Sequence, residues 1–360
     1  MAGFKGVKLI DLLELDQMLP FVLKRDNVAR YEDGVVLIGD RRKYPFSKEF
    51  VRCEDVESVA QAIENMVTQG GGPWIAAVFA MVMAAKKVES KPHQEALDYL
   101  LKAKERLVKT RPTNTAMARR LGDTLPVVKN AQEEGRSIEK ALLDWIKKLR
   151  DKAYESYAIR SRLGADLIED GDGILTMCFA ETAFILAMSM AKKDGKNIHV
   201  YTPETRPYLQ GARLTAPSLH ELEIPVQIIT DNMPAFVMSQ GKIQKYFTAA
   251  DLITMDGHVV NKIGTFQNAI AAHHHHIPYF VFMWGPDFES PDRESVVIEY
   301  RDPAEIRSCR GTPTTIDDIE AYYPAFDITP PHLVAGVITR HGILSPYDLR
   351  PHFEKELSKE

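Results

Sequence analysis

Cysteine is scarce in this chain: three in 360 residues, at positions 53, 178 and 309, widely spaced and with no CxxC pair. That excludes a disulfide framework and reads as a protein of a reduced, cytoplasmic compartment. Long hydrophobic runs are also missing. The longest, WIAAVFAMVMAA, is too short to span a bilayer, and the N-terminal MAGFKGVKLIDLL has no apolar core or cleavage site of the signal-peptide kind. Nor is there a surplus of positive charge. The formal net charge is -5, which gives no support to a nucleic-acid partner. GxxxxGK[ST], GxSxG and HExxH motifs are absent, as are internal repeats and low-complexity linkers. What remains is ordinary for a globular protein, with 45% hydrophobic and 26% charged residues and a length that supports a large core.

The pattern changes character partway along. After a short β start that includes GVVLIGD, residues 54–69, the run IAAVFAMVMAAKK, residues 93–110 and a stretch from about 137 to the mid-160s carry helical spacing. Pro112 is expected to stop one helix and Thr113 or Asn114 to cap the next. From residue 174 onward, strand candidates at 174–178, 198–203, 225–231, 252–256 and 279–284 alternate with helical segments at 181–193, 206–220, 234–240 and 261–275. FTAAD, before LITMD, is expected to complete the fourth strand. Such alternation predicts an α/β protein with a doubly wound, mostly parallel sheet. The boundaries expected are 1–150 for a mainly helical N-terminal domain, 151–348 for the sheet domain and 349–360 for a tail on the surface or on a partner.

Several residues stand where such a sheet presents chemistry, at its carboxyl edge. Cys178 ends ILTMC just before a helix start; it is either a thiolate favoured by the helix N-terminus or a small buried hydrophobe. Asp251 interrupts an apolar run. It is either an acid/base group with a raised pKa or a strand-end cap. Lys262 reads as a cation at a helix start, with Asn261 before it, a place that an anionic ligand would explain and a solvated lysine would also fit. The GGGPW turn at 70–74 can cradle phosphate with backbone amides or be a plain interhelix turn, and Arg111 in TRPT can bind phosphate or lie on the surface. The histidines at 273–276 lack the carboxylate or spaced partners of a metal site and read as structural or exposed.

Taken together, EDVESVAQAIENMVTQGGGPWIAA, TRPTN, ILTMC, ETRPYLQGARLTA, ITDNM, AAD, NKIGTFQNAIAAHHHHIP and PAFDITPPHLVAGVITRHGI make the chain resemble the methylthioribose-1-phosphate isomerase family. The larger family includes ribose-1,5-bisphosphate isomerases and regulatory subunits of a translation-initiation nucleotide-exchange factor. The resemblance covers about residues 35–345. It implies a helical N-terminal domain with a short β start, a Rossmann-like C-terminal domain and a homodimer. It implies Cys178 and Asp251 as the catalytic pair. Substrate contacts carry over to Gly71, Gly72, Arg111, Gln210, Asn261 and Lys262. The implied reaction is conversion of a 5-substituted ribose 1-phosphate, with 5-methylthio or 5-deoxy substituent, to the ribulose 1-phosphate in salvage of the sugar left by S-adenosylmethionine. Hydrogen moves from C2 to C1 either as a proton, with Cys178 as thiolate and Asp251 held protonated, or as a hydride. The implied reaction needs no metal and no organic cofactor, and the partner is a small sugar phosphate. A non-catalytic protein of the same fold that senses a sugar phosphate or nucleotide is the alternative. Two departures accompany the resemblance. Gly70 stands where the family's phosphate-binding arginine is usual, with Trp74 beside it, and Phe179 and Glu181 follow the cysteine in place of NTG or NAG.

Overall fold

A computed structural model describes residues 12–111 and 115–357. Pro112, Thr113 and Asn114, expected to separate two helices, lie outside the described residues. The chain divides into two compact units, Pro20–Tyr154 and a second formed by the residues up to Leu19 together with those from Glu155 onward. A short helix, α1 (Leu12–Gln17), belongs to the second unit.

The Pro20–Tyr154 unit opens with α2 (Arg25–Val28) and three antiparallel strands, β1 (Ala29–Glu32), β2 (Val35–Gly39) and β3 (Phe50–Cys53), in that spatial order. Helix α3 (Val56–Glu64) starts at a capping box, in which Asp55 and Ser58 each bond the other's backbone amide. Helix α4 (Gly72–Lys87) is apolar nearly all round, and it is correspondingly buried from Gly72 to Ala85 except at Ile75. Helices α5 (His93–Val108) and α6 (Thr115–Glu133) and the first half of α7 (Ile138–Leu167) complete this unit.

In the second unit the expected βα alternation is present: β4 (Gly173–Leu175), α8 (Glu181–Lys193), β5 (His199–Pro203), α9 (Ala216–Glu221), β6 (Val226–Ile229), α10 (Pro234–Ser239) and β7 (Lys245–Ala249). Then come β8 (Leu252–Ile253), β9 (Val259–Lys262), α11 (Thr265–His274), β10 (Tyr279–Phe282), the hairpin of β11 (Ser308–Cys309) and β12 (Thr312–Pro313), β13 (Phe326–Thr329), β14 (Gly336–Thr339) and β15 (Gly342–Leu344). The last described element is α12 (Leu349–Leu357), whose Leu349 and Phe353 are packed into the core, so the described part of the expected tail is an anchored helix. No described helix is long and apolar enough to cross a membrane.

The main sheet has the order β15-β14-β10-β7-β4-β5-β6, and every pair is parallel except β14–β15. Strand β4 is wholly buried, as its unbroken apolar GIL requires. From β4 the chain builds outward through β5 and β6, then returns to the other side for β7, β10 and β14. The order therefore reverses between β4 and β7, and the crevice beyond their carboxyl ends is the usual ligand position in such sheets.

Two expectations are corrected here. The fourth strand is Lys245–Ala249; it stops before Asp251, and Leu252–Ile253 turns away to pair with β9. Asn261 and Lys262 are not at a helix start. They end β9, in a separate antiparallel sheet of order β13-β9-β8, and α11 begins at Thr265. Four-residue strands of this kind are joined by distant partners, here Asn261↔Asp327 and Lys262↔Phe326, which local periodicity does not reveal.

Candidate active site

Cys178 lies three residues past β4 and Asp251 two past β7, so the two strands that flank the reversal each deliver one reactive group. Cys178 has φ 60, a left-handed conformation that is strained for a residue with a side chain. The loop after β5 holds it there. The Cys178 amide donates to Thr205 Oγ1 at 3.2 Å, and Thr215 Oγ1 donates to the Cys178 carbonyl at 2.5 Å. That loop is itself fixed, because the amides of Thr205 and Arg206 both donate to the Asp231 carboxylate at 2.7 Å. Gln210, 3% exposed, stands at the start of the π-helical turn Gly211–Thr215 that follows it. Gly211, which follows, passes so close to β5 that a Cβ there would come within 1.8 Å of the Pro203 carbonyl oxygen.

Burial acts against the expected thiolate. Burial pushes the Cys178 thiol up to about 11, Lys262 acts in the opposite direction and Asp251 reinforces the rise. The Phe179 backbone also favours the thiolate, but the loss of water outweighs it. Asp251 is also shifted, to about 6. Protein walling the carboxyl is the largest cause; Lys262 and Arg301 oppose it, and Glu181 and Glu299 add to it. The direction matches the sequence reading, but a group titrating near 6 is mostly ionised at neutral pH. Asp251 retains accessible surface while protein surrounds it, which is the condition of a carboxylate lining a crevice. The pair is therefore a neutral thiol and a carboxylate, the reverse of the expected charge assignment.

Lys262 is 4% exposed, and its Nζ has no hydrogen-bond partner among the described residues. The ammonium lies 4.7 Å from the centre of the Phe326 ring and 6.0 Å from that of Tyr323. Burial pulls its pKa down, and the nearby Cys178 and Asp251 pull it back up. A buried cation without a bonded anion is costly unless a ligand supplies one. Asn261, 6% exposed, donates through Nδ2 to Thr265 Oγ1 at 3.1 Å. It does not cap α11. That role falls to Asp327, which accepts from the amides of Gly264 at 2.7 Å and Phe266 at 3.1 Å. Burial raises the Asp327 pKa to about 6 against these bonds. Asp327→Ala is expected to destabilise the protein by about 1–2 kcal/mol, read by urea unfolding, with Asp327→Asn recovering part of the loss.

Gly71, Gly72 and Arg111 fall in the Pro20–Tyr154 unit. Gly71 is the N-cap of α4 and Gly72 its first residue, with no acidic side chain in the first turn. A Cβ on Gly72 would come within 1.8 Å of Thr68 Oγ1. Thr68 Oγ1 and Gln69 Nε2, just before this helix start, are buried without a hydrogen-bond partner among the described residues. Amides, a helix N-terminus and orphaned donors together suit an anion. Arg111 donates through Nη2 to the Ile63 carbonyl at 3.2 Å and contacts Met66 Sδ. Trp74 is buried with the Arg120 guanidinium over its ring at 3.9 Å.

The residues that the sequence reading missed are Glu299, Arg301, Tyr323 and Asp327. A signal existed in ESVVIEYRDP, where an acid and a base alternate in an extended apolar run. Their placement depends on pairing across distant segments.

A two-unit α/β protein with a thiol, a carboxylate and a buried lysine gathered at the sheet's reversal is the class defined by these observations. Residues 71–346 match the initiation factor 2 subunit family, and the chain belongs to that family. Among its relatives, the methylthioribose-1-phosphate isomerase of Fervidobacterium nodosum is 36% identical over 330 residues, 87% of this chain and 93% of its own. A putative methylthioribose-1-phosphate isomerase of Methanocaldococcus jannaschii is 38% identical over 319 residues, covering 86% of this chain and 92% of its own. Of solved structures, the 5-methylthioribose 1-phosphate isomerase from Pyrococcus horikoshii OT3 superposes with a TM-score of 0.83 at 30% identity, over 93% of this chain and 96% of that one. The translation initiation factor eIF-2B, subunit delta, from A. fulgidus gives 0.76 at 33% identity, over 89% and 96%.

Proposed function

We propose that the protein is an aldose–ketose isomerase that converts 5-methylthioribose 1-phosphate to the ribulose 1-phosphate in methionine salvage. The single observation that carries this is the pairing of Cys178 and Asp251 at the two strand ends that flank the sheet's reversal. The near full-length similarity to relatives that bear the isomerase name supports it. The strand order, three strands outward from β4 and three back from β7, supports a Rossmann-like description of this unit.

The anomeric carbon carries the phosphate, so the ring opens only with acid assistance. Cys178, a thiol, donates its proton to the ring oxygen as the C1–O4 bond breaks. The thiolate left behind is stabilised by Lys262 and Arg301, whose charges favour it. The C2–H bond beside the resulting C1 cation is strongly acidified, so a carboxylate as weak as Asp251 removes the proton. Asp251 then returns it to C1, and the O2 proton goes back to sulfur as the ketone forms. No proton is gained or lost overall. Gln210, Asn261 and Lys262 are assigned to the sugar phosphate. In deuterium oxide, exchange at the solvent-accessible Asp251 carboxyl before the return is expected to place deuterium at C1 in part of the product, read by NMR; complete retention of a C2 label at C1 would favour hydride migration.

The protein is inferred to act as a homodimer in the cytoplasm. Edge strand β6 and α10 leave Ile228 53% and Phe236 67% exposed, an apolar edge that a second copy would cover. The experiment that tests the function is turnover of 5-methylthioribose 1-phosphate beside its 5-deoxy analogue, scored by ketose 1-phosphate. Higher kcat/KM on the methylthio sugar supports the proposal. Preference for the deoxy sugar would move the enzyme to 5-deoxyribose salvage, and turnover of neither would favour a sensing protein of the same fold.

A further inference from the structure

Between β10 and β13 the chain makes a long excursion, and part of it returns to the site. The Ala325 amide donates to the Glu299 carbonyl at 2.8 Å and the Arg301 amide to the Tyr323 carbonyl at 3.0 Å, so residues 299–301 run extended and antiparallel to 323–325. Side chains alternate along an extended segment. Tyr300 therefore faces outward, 61% exposed, with its hydroxyl 2.9 Å from that of Tyr322. Glu299 and Arg301 share the opposite side.

There Arg301 Nε donates to Glu299 Oε1 at 2.7 Å. Residue 325 leads into β13, whose Phe326 pairs with Lys262. The Arg301 guanidinium lies 5.8 Å from the Phe326 ring centre, and the Lys262 ammonium lies 4.7 Å from the same ring. Arg206 secures the excursion by donating through Nη2 to the carbonyls of Ile306 at 3.1 Å and Ser308 at 2.9 Å.

We propose that the Glu299–Arg301 ion pair is a positioning unit for the isomerisation: it flanks the β9–β13 strand pair, to whose other edge Asp251 is tied by its amide bond to the Val260 carbonyl at 3.0 Å, and Arg301 acts through Asp251 while Glu299 holds Arg301 and opposes its charge. This rests on the functional reading above. The charged and titratable groups around Asp251 are Lys262 from β9, Arg301 and Glu299 from the excursion, Glu181 from the start of α8 and Cys178 beyond β4. Asp327 on β13 is engaged with the amides of α11, and Tyr323 lies against Lys262. Arg301 favours the Asp251 carboxylate and Glu299 disfavours it, so the two halves of one ion pair act on Asp251 with opposite sign.

The test uses Arg301→Gln, Glu299→Gln and Arg301→Lys. The Asp251 carboxyl is titrated by 13C NMR without substrate, assigned by its loss in Asp251→Asn, and the acid limb of kcat/KM is recorded in parallel. Arg301→Gln is expected to move both upward by about half a pH unit or more, Glu299→Gln to move both downward, and Arg301→Lys to restore most of the shift. Movement in the same direction for both Gln variants, or no movement, would overturn the inference and leave the pair as a structural brace. The titration needs no turnover, so an inactive wild-type enzyme would count against the functional reading, and an unmoved carboxyl against the positioning role.

Discussion

Asp251→Asn is expected to lower kcat/KM by about a thousandfold, because it removes the only group assigned to move the C2 proton and leaves an amide that cannot accept it. The same substitution has a second consequence with opposite sign. The folded-state pKa of Asp251 is raised from 3.8 to about 6. Its contribution to stability is therefore full below the unfolded value and is lost as pH rises through the folded one. At pH 8 the wild-type protein holds an ionised carboxylate that burial disfavours, and Asn removes that cost. The variant should be more stable than wild type at pH 8 by about 1 kcal/mol, a figure reduced for the solvent that still reaches the side chain, with the difference vanishing below about pH 4. Urea titrations at the two pH values read this directly. Loss of activity accompanied by loss of stability at pH 8 would instead mark Asp251 as a structural cap.

Lys262→Met is the second large effect. The ammonium is buried, unbonded and beside the thiol, so its charge is positioned for an anion that exists only with substrate or along the reaction path. Removing it should cost on the order of 100-fold in kcat/KM or more. Burial lowers the folded pKa of Lys262 below its ordinary value of 10.5. The folded state therefore disfavours the charged form at neutral pH, and methionine, of similar length and fully apolar, should raise stability by about 1–3 kcal/mol. A variant that is less active and melts higher is the expected outcome. One that is less active and melts lower would show that the cation's ring contacts matter more to the fold than its charge does to the ligand.

The elements best read from sequence were those whose signal is local. The apolar runs of β4, β5 and β10, the helical spacing of α3, α4, α5 and α7, and the alternation that gives a parallel sheet all rest on short-range pattern. So does the approximate position of Cys178, although the strand expected to run to it stops at Leu175, three residues short. Asp251 was legible as an oddity, but the strand break beside it was not, since LITMD continues the same apolar pattern while its backbone leaves for another sheet. Lys262 was misread for the same reason. Its neighbours NKIGT resemble a helix start, whereas the strand that holds it is completed by Phe326, 64 positions away along the chain. Charge states were the least legible. Helix-start chemistry argued for a thiolate at Cys178, and only the surrounding protein reveals that desolvation outweighs it. Arg301 and Glu299 escaped notice because their relation to Asp251 runs through two strand pairings.

The most direct test of the thiol–carboxylate account is a single comparison on purified protein. Wild type, Cys178→Ser and Asp251→Asn are assayed on 5-methylthioribose 1-phosphate, and the thermal shift caused by the same sugar is recorded for each. The account predicts turnover by wild type, its loss by at least about a hundredfold in both variants, and retained ligand-induced stabilisation in all three. Unchanged turnover in either variant would contradict it.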